Sequence, residues 1–115
     1  SGLYQRALQS RVSAEEAEAM TISFLACFID AGLSPMCGNT ISMDRQFLNR
    51  HMPKLANFFH YRQIDVSTLK ELVKRWYPDA RKFEKESRHL ALSDIIDSIE
   101  ELKFYRHHYF KDVLC

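Results

Sequence analysis

Two short β-prone segments, each followed at once by a helical pattern, constrain the fold of this chain more than any other feature. The first lies within residues 34–42, and the second spans residues 63–66. Helical patterns precede, separate and follow them, so the order is helix, strand, helix, strand, helix, loop, helix. This alternation is typical of an α/β fold whose neighbouring strands run parallel.

The first two helical patterns have clear boundary signals. Ser13 and Glu16 have the spacing of a capping box, and Gly32 is expected to close the helix that follows them. A second, short helix is predicted over residues 43–52, with Asp44 in its first turn. The inward positions expected are Ala17, Met20, Phe24, Leu25 and Phe28 in the first helix, and Met43, Phe47 and Leu48 in the second.

The third and fourth helices follow an aromatic connection over residues 55–62. Thr68 and Glu71 predict a second capping box, and Pro78 is expected to end that helix. After a charged loop, a long helix is predicted from about residue 90 to 110. The inward positions expected are Leu69, Leu72, Val73 and Trp76 in the third helix, and Leu92, Ile95, Ile96, Ile99 and Leu102 in the fourth.

Composition limits the class of protein. The 115 residues, 46% of them hydrophobic, are expected to form one domain over residues 1–115. A net charge of +1 excludes the extended basic face of a duplex-DNA binder. No apolar run reaches the roughly 20 residues of a membrane span. The three cysteines have no C-x-x-C spacing, which favours buried thiols in a reduced, cytoplasmic protein.

Two strands are too few for this number of helices. Short strands normally belong to sheets of about four to six strands, and a lone pair leaves both sheet edges uncovered. The sequence therefore predicts a part of a larger fold.

His89 and Asp94 are the first candidates for chemistry. With the histidine before a helix and the aspartate one turn inside it, the pair suits metal-assisted hydrolysis, because a carboxylate binds a hard ion and imidazole accepts a proton from water. A surface histidine beside a carboxylate that complements the helix dipole is the alternative. Asp97 is a rival to Asp94, since it lies three residues further on nearly the same face.

Further candidates lie near the strand ends. Asp44 and Asp65 occur where open α/β sheets place their ligands, although each is equally consistent with a cap or turn residue. Tyr61 is able to stack on a base, and Arg62 with Ser67 to hold a terminal phosphate. The alternative is a core tyrosine beside a salt-bridged surface arginine.

Three long stretches, GNTISMDRQFL, HYRQIDVSTLKELVKRWYP and HLALSDIIDSIEELKFYR, occur in this order and resemble the second half of the oligoribonuclease family. That family belongs to the DEDDh 3'-to-5' exonucleases. The resemblance implies an α/β, ribonuclease-H-like exonuclease fold, seen here without its N-terminal strands. The family's first motif, Asp-x-Glu, would lie upstream of Ser1, so two of its four carboxylates have no counterpart here, and the activity of this chain alone is left open.

The resemblance also implies roles for individual residues. Asp44 and Asp94 match the metal-binding aspartates of the second and third motifs, and His89 matches the general base. The expected cofactor is Mg²⁺ or Mn²⁺, two ions of which would clamp the oxygens of an in-line displacement.

The implied substrate is short single-stranded RNA, which the family degrades to mononucleotides. Arg62, Ser67 and Tyr61 match positions that grip a terminal phosphate, and Thr40 keeps a hydroxyl where many relatives have serine. A homodimer is expected, with the HYR tyrosine contributing to the partner's site. The alternative is a truncated, non-catalytic nucleotide-binding or dimerisation module of the same family.

Overall fold

The computed structural model describes residues 2–85 and 90–111, and these residues form an α/β structure. Two short strands, β1 and β2, pair in a parallel sheet. Within the described ranges no helix is long and apolar enough to cross a membrane. The elements are α1 Leu3–Gln9, α2 Ala14–Leu25, β1 Met36–Gly38, α3 Ile41–His51, α4 Pro53–Phe58, β2 Gln63–Asp65, α5 Val66–Trp76 and α6 Ala91–Tyr109.

The chain divides into two compact units. The first consists of Ser1–Cys37 and Ile41–Ile64, and the second of Gly38–Thr40 and Asp65–Cys115. In the first unit α4 packs against both α2 and α3, and in the second α5 packs against α6. Both predicted strands are confirmed, and each is followed by the helix that the sequence pattern indicates.

Helix α2 begins as predicted but ends earlier. Ser13 Oγ accepts the N–H of Glu16 over 3.1 Å, which confirms the first capping box. The helix ends at Leu25, so the predicted closure at Gly32 is wrong. Gly32 instead takes a positive φ of 79° in a later turn, where its N–H donates to the carbonyl of Phe58 over 2.8 Å.

Helix α4 lies where the sequence suggested only an aromatic connection. Pro53 occupies its first turn, a position that suits proline because the missing N–H has no helical partner there. The buried carboxylate of Glu18 accepts the N–H of Leu55 over 3.1 Å, so an otherwise unpaired donor of that first turn is satisfied. Pro53 was predicted to end the helix before it, and in the structure it also begins α4.

A small buried cluster organises the second unit. Val66, Val73 and Tyr105 form its core, and the carboxylate of Glu101 is buried among them with 1% exposure. Tyr105 Oη donates to Glu101 Oε2 over 2.5 Å, and Lys85 Nζ forms an ion pair with Glu101 Oε1. Burial, together with the hydrogen bond to Glu101, raises the pKa of Tyr105 above its usual range.

Helix α5 also starts differently from the prediction. Its N-cap is Asp65, whose side chain accepts the N–H of Ser67, so the predicted capping box at Thr68 and Glu71 is wrong. The stop is confirmed, because α5 ends at Trp76, two residues before Pro78. The bounds of α6 agree with the predicted 90–110 to within one residue.

Many predicted inward positions are exposed in this chain. Within α2 the buried residue is Glu18, and within α6 the buried residues are Glu101 and Tyr105. Cys27 and Cys37 are exposed too, contrary to the expectation of buried thiols. The exposed positions that were predicted to face inward are Met20, Phe24, Phe28, Met43, Phe47, Trp76, Leu92, Ile95, Ile96 and Ile99.

Candidate active-site residues

The predicted metal-binding aspartates both lie in first turns of helices. Asp44 is in the first turn of α3, as expected, and Asp94 is in the first turn of α6. Both side chains are exposed, which leaves them accessible to a ligand. A carboxylate in a first turn also complements the helix dipole, so the structural alternative for each remains. His89 lies outside the described residues.

Thr40 and Ser67 are brought together where the two strands end. The backbone N–H of Thr40 donates to Asp65 Oδ1 over 2.9 Å and lies 3.1 Å from Ser67 Oγ. Their hydroxyl oxygens are 3.3 Å apart. We call Asn39, Thr40, Asp65 and Ser67 the strand-end junction. Asp65 is therefore the N-cap of α5, which was the alternative to a ligand-binding role. Its carboxylate also accepts the N–H of Thr40.

Thr40 has an unusual backbone conformation. Its φ is 51°, and among the described residues it is the one non-glycine with positive φ. Such a conformation costs on the order of 1–3 kcal/mol and is rarest for β-branched residues like threonine. The two acceptors of its N–H, on Asp65 and Ser67, hold it in place. Strain of this kind is concentrated at functional sites.

Asn39 completes the hydrogen-bond network of the junction. Ser67 Oγ donates to Asn39 Oδ1 over 2.9 Å, and Asn39 Nδ2 donates to Ser98 Oγ over 2.8 Å. A serine hydroxyl has a single proton, which Ser67 gives to Asn39. The hydroxyl proton of Thr40 is therefore the one in this pair that is free to turn from Ser67 Oγ toward an incoming anion.

The other predicted substrate residues lie in an exposed segment before β2. We call His60, Tyr61 and Arg62 the aromatic loop. Tyr61 is 77% exposed and stacks on His60, with ring centroids 4.4 Å apart, so its interpretation as a core tyrosine is wrong. The guanidinium carbon of Arg62 lies 5.4 Å from the Tyr61 ring, and the N–H of Arg62 donates to His60 Nδ1 over 3.0 Å.

Arg45 supports the aromatic loop from within the first unit. Its guanidinium donates to the carbonyls of Ala56 over 2.9 Å and His60 over 2.8 Å, which ties α3 to the end of α4 and to the start of the loop. Arg45 and Arg62 also line a shallow depression with Asn49, Tyr61 and Gln63. Two guanidinium groups and no carboxylate line it, so the depression favours an anion.

The available donors limit how a metal ion is bound. Across residues 2–85 and 90–111, no group of three or more His, Cys, Asp or Glu side chains is placed to hold an ion. An ion at Asp44 or Asp94 would therefore keep most of its ligands as water or substrate oxygen. Mg²⁺ is commonly bound by one or two carboxylates together with waters and phosphate, so one exposed carboxylate supplies a part of such a site.

Three organising residues escaped the sequence analysis: Asn39, Arg45 and Ser98. Asn39 belongs to a Gly-Asn-Thr turn after a strand, and asparagine in a turn often bonds to nearby polar groups, so a local signal was present. Arg45 and Ser98 gave no such signal, because their partners lie 11 to 59 residues away in the chain.

Comparisons with known proteins identify the family of this chain. A family model described as RNase_T, an exonuclease family, matches residues 4–102. The chain belongs to this exonuclease family. Its resemblance to oligoribonuclease, inferred from three stretches of sequence, is confirmed by the curated relatives described next.

These relatives are all named oligoribonuclease. The protein of Ruthia magnifica subsp. Calyptogena magnifica is 62% identical over 107 residues, which cover 92% of this chain and 59% of the relative. The protein of Pseudomonas entomophila (strain L48) is 59% identical over 112 residues, covering 96% of this chain and 62% of the relative. The chain thus spans about three fifths of the length of the relatives it matches, which is consistent with a C-terminal portion.

Proposed function

We propose that this chain is the C-terminal portion of a 3'-to-5' exoribonuclease that degrades short oligoribonucleotides to mononucleotides. The observation that carries the proposal is the 62% identity to an oligoribonuclease over 92% of the chain, within an exonuclease family. The proposed fold is ribonuclease-H-like. The described residues would supply two strands of its sheet, and the N-terminal strands would come from elsewhere.

In the proposed reaction Asp44 and Asp94 bind Mg²⁺ or Mn²⁺, and His89 takes the proton of the attacking water. When bound, two such ions would neutralise charge on the attacking and leaving oxygens of the phosphodiester. The exposed carboxylates of Asp44 and Asp94 would contribute negative oxygen ligands. An imidazole is suited to the proton transfer at His89 because its pKa is near neutrality.

The proposed substrate contacts use two kinds of side chain. Thr40 donates its hydroxyl proton to the terminal phosphate, and Ser67 holds Thr40 in place for this contact. Arg62 adds a charge-assisted hydrogen bond, and Tyr61 offers an exposed ring on which a base stacks. A binding site built on one terminal phosphate and one or two bases favours very short RNA, and it needs no large basic face.

The proposed assembly is a cytoplasmic homodimer. The exposed ring of Tyr61 supports this, because a side chain 77% exposed in one copy is available to a second copy. Sedimentation of the purified chain at several concentrations tests the dimer, and a sedimentation coefficient that stays at the monomer value up to high concentration would contradict it.

The test of the reaction is cleavage of a 5'-labelled RNA dinucleotide by the purified chain in Mn²⁺. Any cleavage by the chain should disappear with a chelator and in His89→Ala, while dinucleotide binding persists in the variant. No cleavage by a folded chain that binds the dinucleotide in a Mn²⁺-dependent way would mean that the chain is the incomplete part of the enzyme. His107→Ala, in the last turn of α6, is the matched control and should behave like the parent chain. Cleavage that survives both the chelator and His89→Ala would contradict the proposal.

The second candidate is a truncated, non-catalytic nucleotide-binding or dimerisation module. It is favoured by the depression that Arg45 and Arg62 line, because two guanidinium groups are able to bind an anion without a metal ion. The two candidates differ in their response to metal. Dinucleotide binding that is unchanged by Mn²⁺, with no turnover in a folded chain, would favour the module over the enzyme.

A further inference from the structure

We infer that Asn39 and Ser98 are positioning residues, which fix the helix carrying Asp94 at a set distance from the hydroxyls of Thr40 and Ser67. The contact is a hydrogen bond of 2.8 Å between side chains 59 residues apart in the sequence. The inference rests on the proposed function, because it assumes that Asp94 binds metal and that the hydroxyl of Thr40, which Ser67 holds in place, meets a phosphate.

Helical geometry places Asp94 on the side of α6 that faces the junction. Asp94 and Ser98 are four residues apart, so they lie about 40° apart around the helix axis and about 6 Å apart along it. Because Ser98 Oγ contacts Asn39, the carboxylate of Asp94 shares the face of that contact. Asp97 lies about 100° from Ser98, so this contact selects Asp94 over its rival.

The amide of Asn39 is suited to connect two hydroxyl side chains. Its Oδ1 accepts from Ser67 while its Nδ2 donates to Ser98, so both polar ends are used. Alanine offers neither group, and a serine is too short to reach both partners. Through this one amide, α6 is connected to Ser67 and, over the 3.3 Å hydroxyl contact, to Thr40.

The position of the bond along α6 matters, because the two halves of the helix are held differently. The buried side chains of α6 are Glu101 and Tyr105, both in its C-terminal half. The N-terminal half, which carries Asp94, has no side-chain cap at Leu90. The bond at Ser98 therefore extends the fixed part of the helix by about one turn toward Asp94.

A fixed separation should make metal and substrate bind together. A dinucleotide that meets the Thr40 hydroxyl with one phosphate and the metal with the next gains affinity through a high effective concentration, provided that the separation does not vary. Loss of the Asn39–Ser98 bond would lower that effective concentration without removing either contact.

The experiment measures this coupling by calorimetry. Mn²⁺ and a 5'-phosphorylated diribonucleotide with a non-hydrolysable methylenephosphonate link are each titrated into the chain, alone and with the other present. We expect each ligand to raise the affinity of the other by roughly tenfold in the parent chain. In Ser98→Ala the coupling should fall to within about twofold, with the affinity for each ligand alone changed less than about threefold.

Two further variants keep the result interpretable. Ser98→Thr keeps a hydroxyl at this position and should keep the coupling. If Ser98 acted only in folding, the coupling would not depend on whether the side chain carries a hydroxyl. Ser93→Ala is the matched control, since it makes the same change on α6 at a position about 140° away from Ser98. It should keep the full coupling.

Each outcome decides the inference. Full coupling in Ser98→Ala, or equal loss in Ser93→Ala, would overturn the positioning role while leaving the proposed function intact. If Ser98→Ala weakened binding of each ligand alone as much as binding of both together, the role would be structural and the inference wrong. A parent chain that binds neither Mn²⁺ nor the dinucleotide would instead refute the proposed function, and the inference with it.

Discussion

Thr40 and Ser67 in the second unit are held by short side chains that bond to one another, whereas Tyr61 and Arg62 in the first unit project from an exposed loop. The junction is ordered by hydrogen bonds that Thr40 donates to Asp65 and Ser67 donates to Asn39. The aromatic loop is ordered mainly by Arg45, which bonds the backbone rather than the projecting side chains.

This difference determines whether the side chains lose conformational entropy on folding or on ligand binding. The hydroxyls of the junction lose their freedom when the chain folds, so little is lost when a phosphate binds. The long side chain of Arg62 keeps its rotamer freedom until a ligand arrives, which lowers the net gain from its contact but allows it to adapt. We therefore expect the junction to set position and the loop to add affinity.

The largest effect on stability is expected from removing Glu101, the charged side chain buried within the second unit. Glu101→Ala leaves the Lys85 ammonium and the Tyr105 hydroxyl without their partner, so the free energy of unfolding should fall by about 3–5 kcal/mol. Hydrogen exchange should quicken in α5 and α6 more than in α2 to α4. Glu100→Ala, which loses an exposed ion pair with Lys103, is the control and should cost less than about 1 kcal/mol.

The next effect tests the support of the aromatic loop. Arg45→Ala removes two hydrogen bonds to the carbonyls of Ala56 and His60, and we expect about 2 kcal/mol lower stability by chemical denaturation. Dinucleotide affinity should fall severalfold, because the backbone that carries Tyr61 and Arg62 is no longer fixed. Arg50→Ala, at the end of the same helix, is the comparison variant. Equal losses of dinucleotide affinity in both variants would show that the affinity depends on the positive charge and not on the hydrogen bonds that Arg45 makes to the loop.

Thr40 separates backbone strain from ligand contact. Thr40→Gly relieves the positive φ of 51° and should raise the free energy of unfolding by about 1 kcal/mol. The same change removes a hydroxyl, so dinucleotide affinity should fall about tenfold. Thr40→Ser keeps the hydroxyl and should bind within about twofold of the parent chain. A stabilised Thr40→Gly that binds normally would remove Thr40 from the substrate site.

The smallest effect is expected at the phenol oxygen of Tyr61. Tyr61→Phe keeps the ring that stacks on His60, so dinucleotide affinity measured by calorimetry should change less than about twofold. Tyr61→Ala removes the stacking surface and should weaken binding by at least about fivefold. A large loss in Tyr61→Phe would mean that the hydroxyl contacts the ligand, and that the loop positions its group as closely as the junction does.

Four helices and both strands could be predicted in the right order because local signals specify them, whereas α1 and α4 were not predicted. The capping box at Ser13, the strand at residues 36–38 and the stop before Pro78 each depend on neighbours within a few residues. Helix α4 was missed because Pro53 permits both the end of one helix and the start of the next. The cap of α5 was misplaced because two candidate caps, Asp65 and Thr68, stand three residues apart.

Apolar spacing located these helices but only some of their buried residues. Val73 is buried and Leu69 and Leu102 pack against the core, as predicted, whereas many other predicted positions are exposed. Periodicity shows that one face of α6 is apolar, yet whether a face is covered depends on partners that the pattern does not name. The most buried side chain of α6 is the charged Glu101, whose burial requires Lys85 and Tyr105 from other turns of the chain. Candidate substrate residues could be named from the resemblance, whereas the contacts that hold them, through Asn39, Arg45 and Ser98, depend on tertiary structure.

The apolar residues exposed along α6 affect how the chain should be handled and measured. Leu92, Ile95, Ile96 and Ile99 are each about half exposed or more, and a net charge of +1 provides little repulsion between molecules near neutral pH. An environment-sensitive dye would bind this surface in the folded chain and give a high baseline in melting assays. The single tryptophan, Trp76, is 68% exposed and would report unfolding weakly. Circular dichroism of the helices in dilute solution is therefore the better probe of its stability.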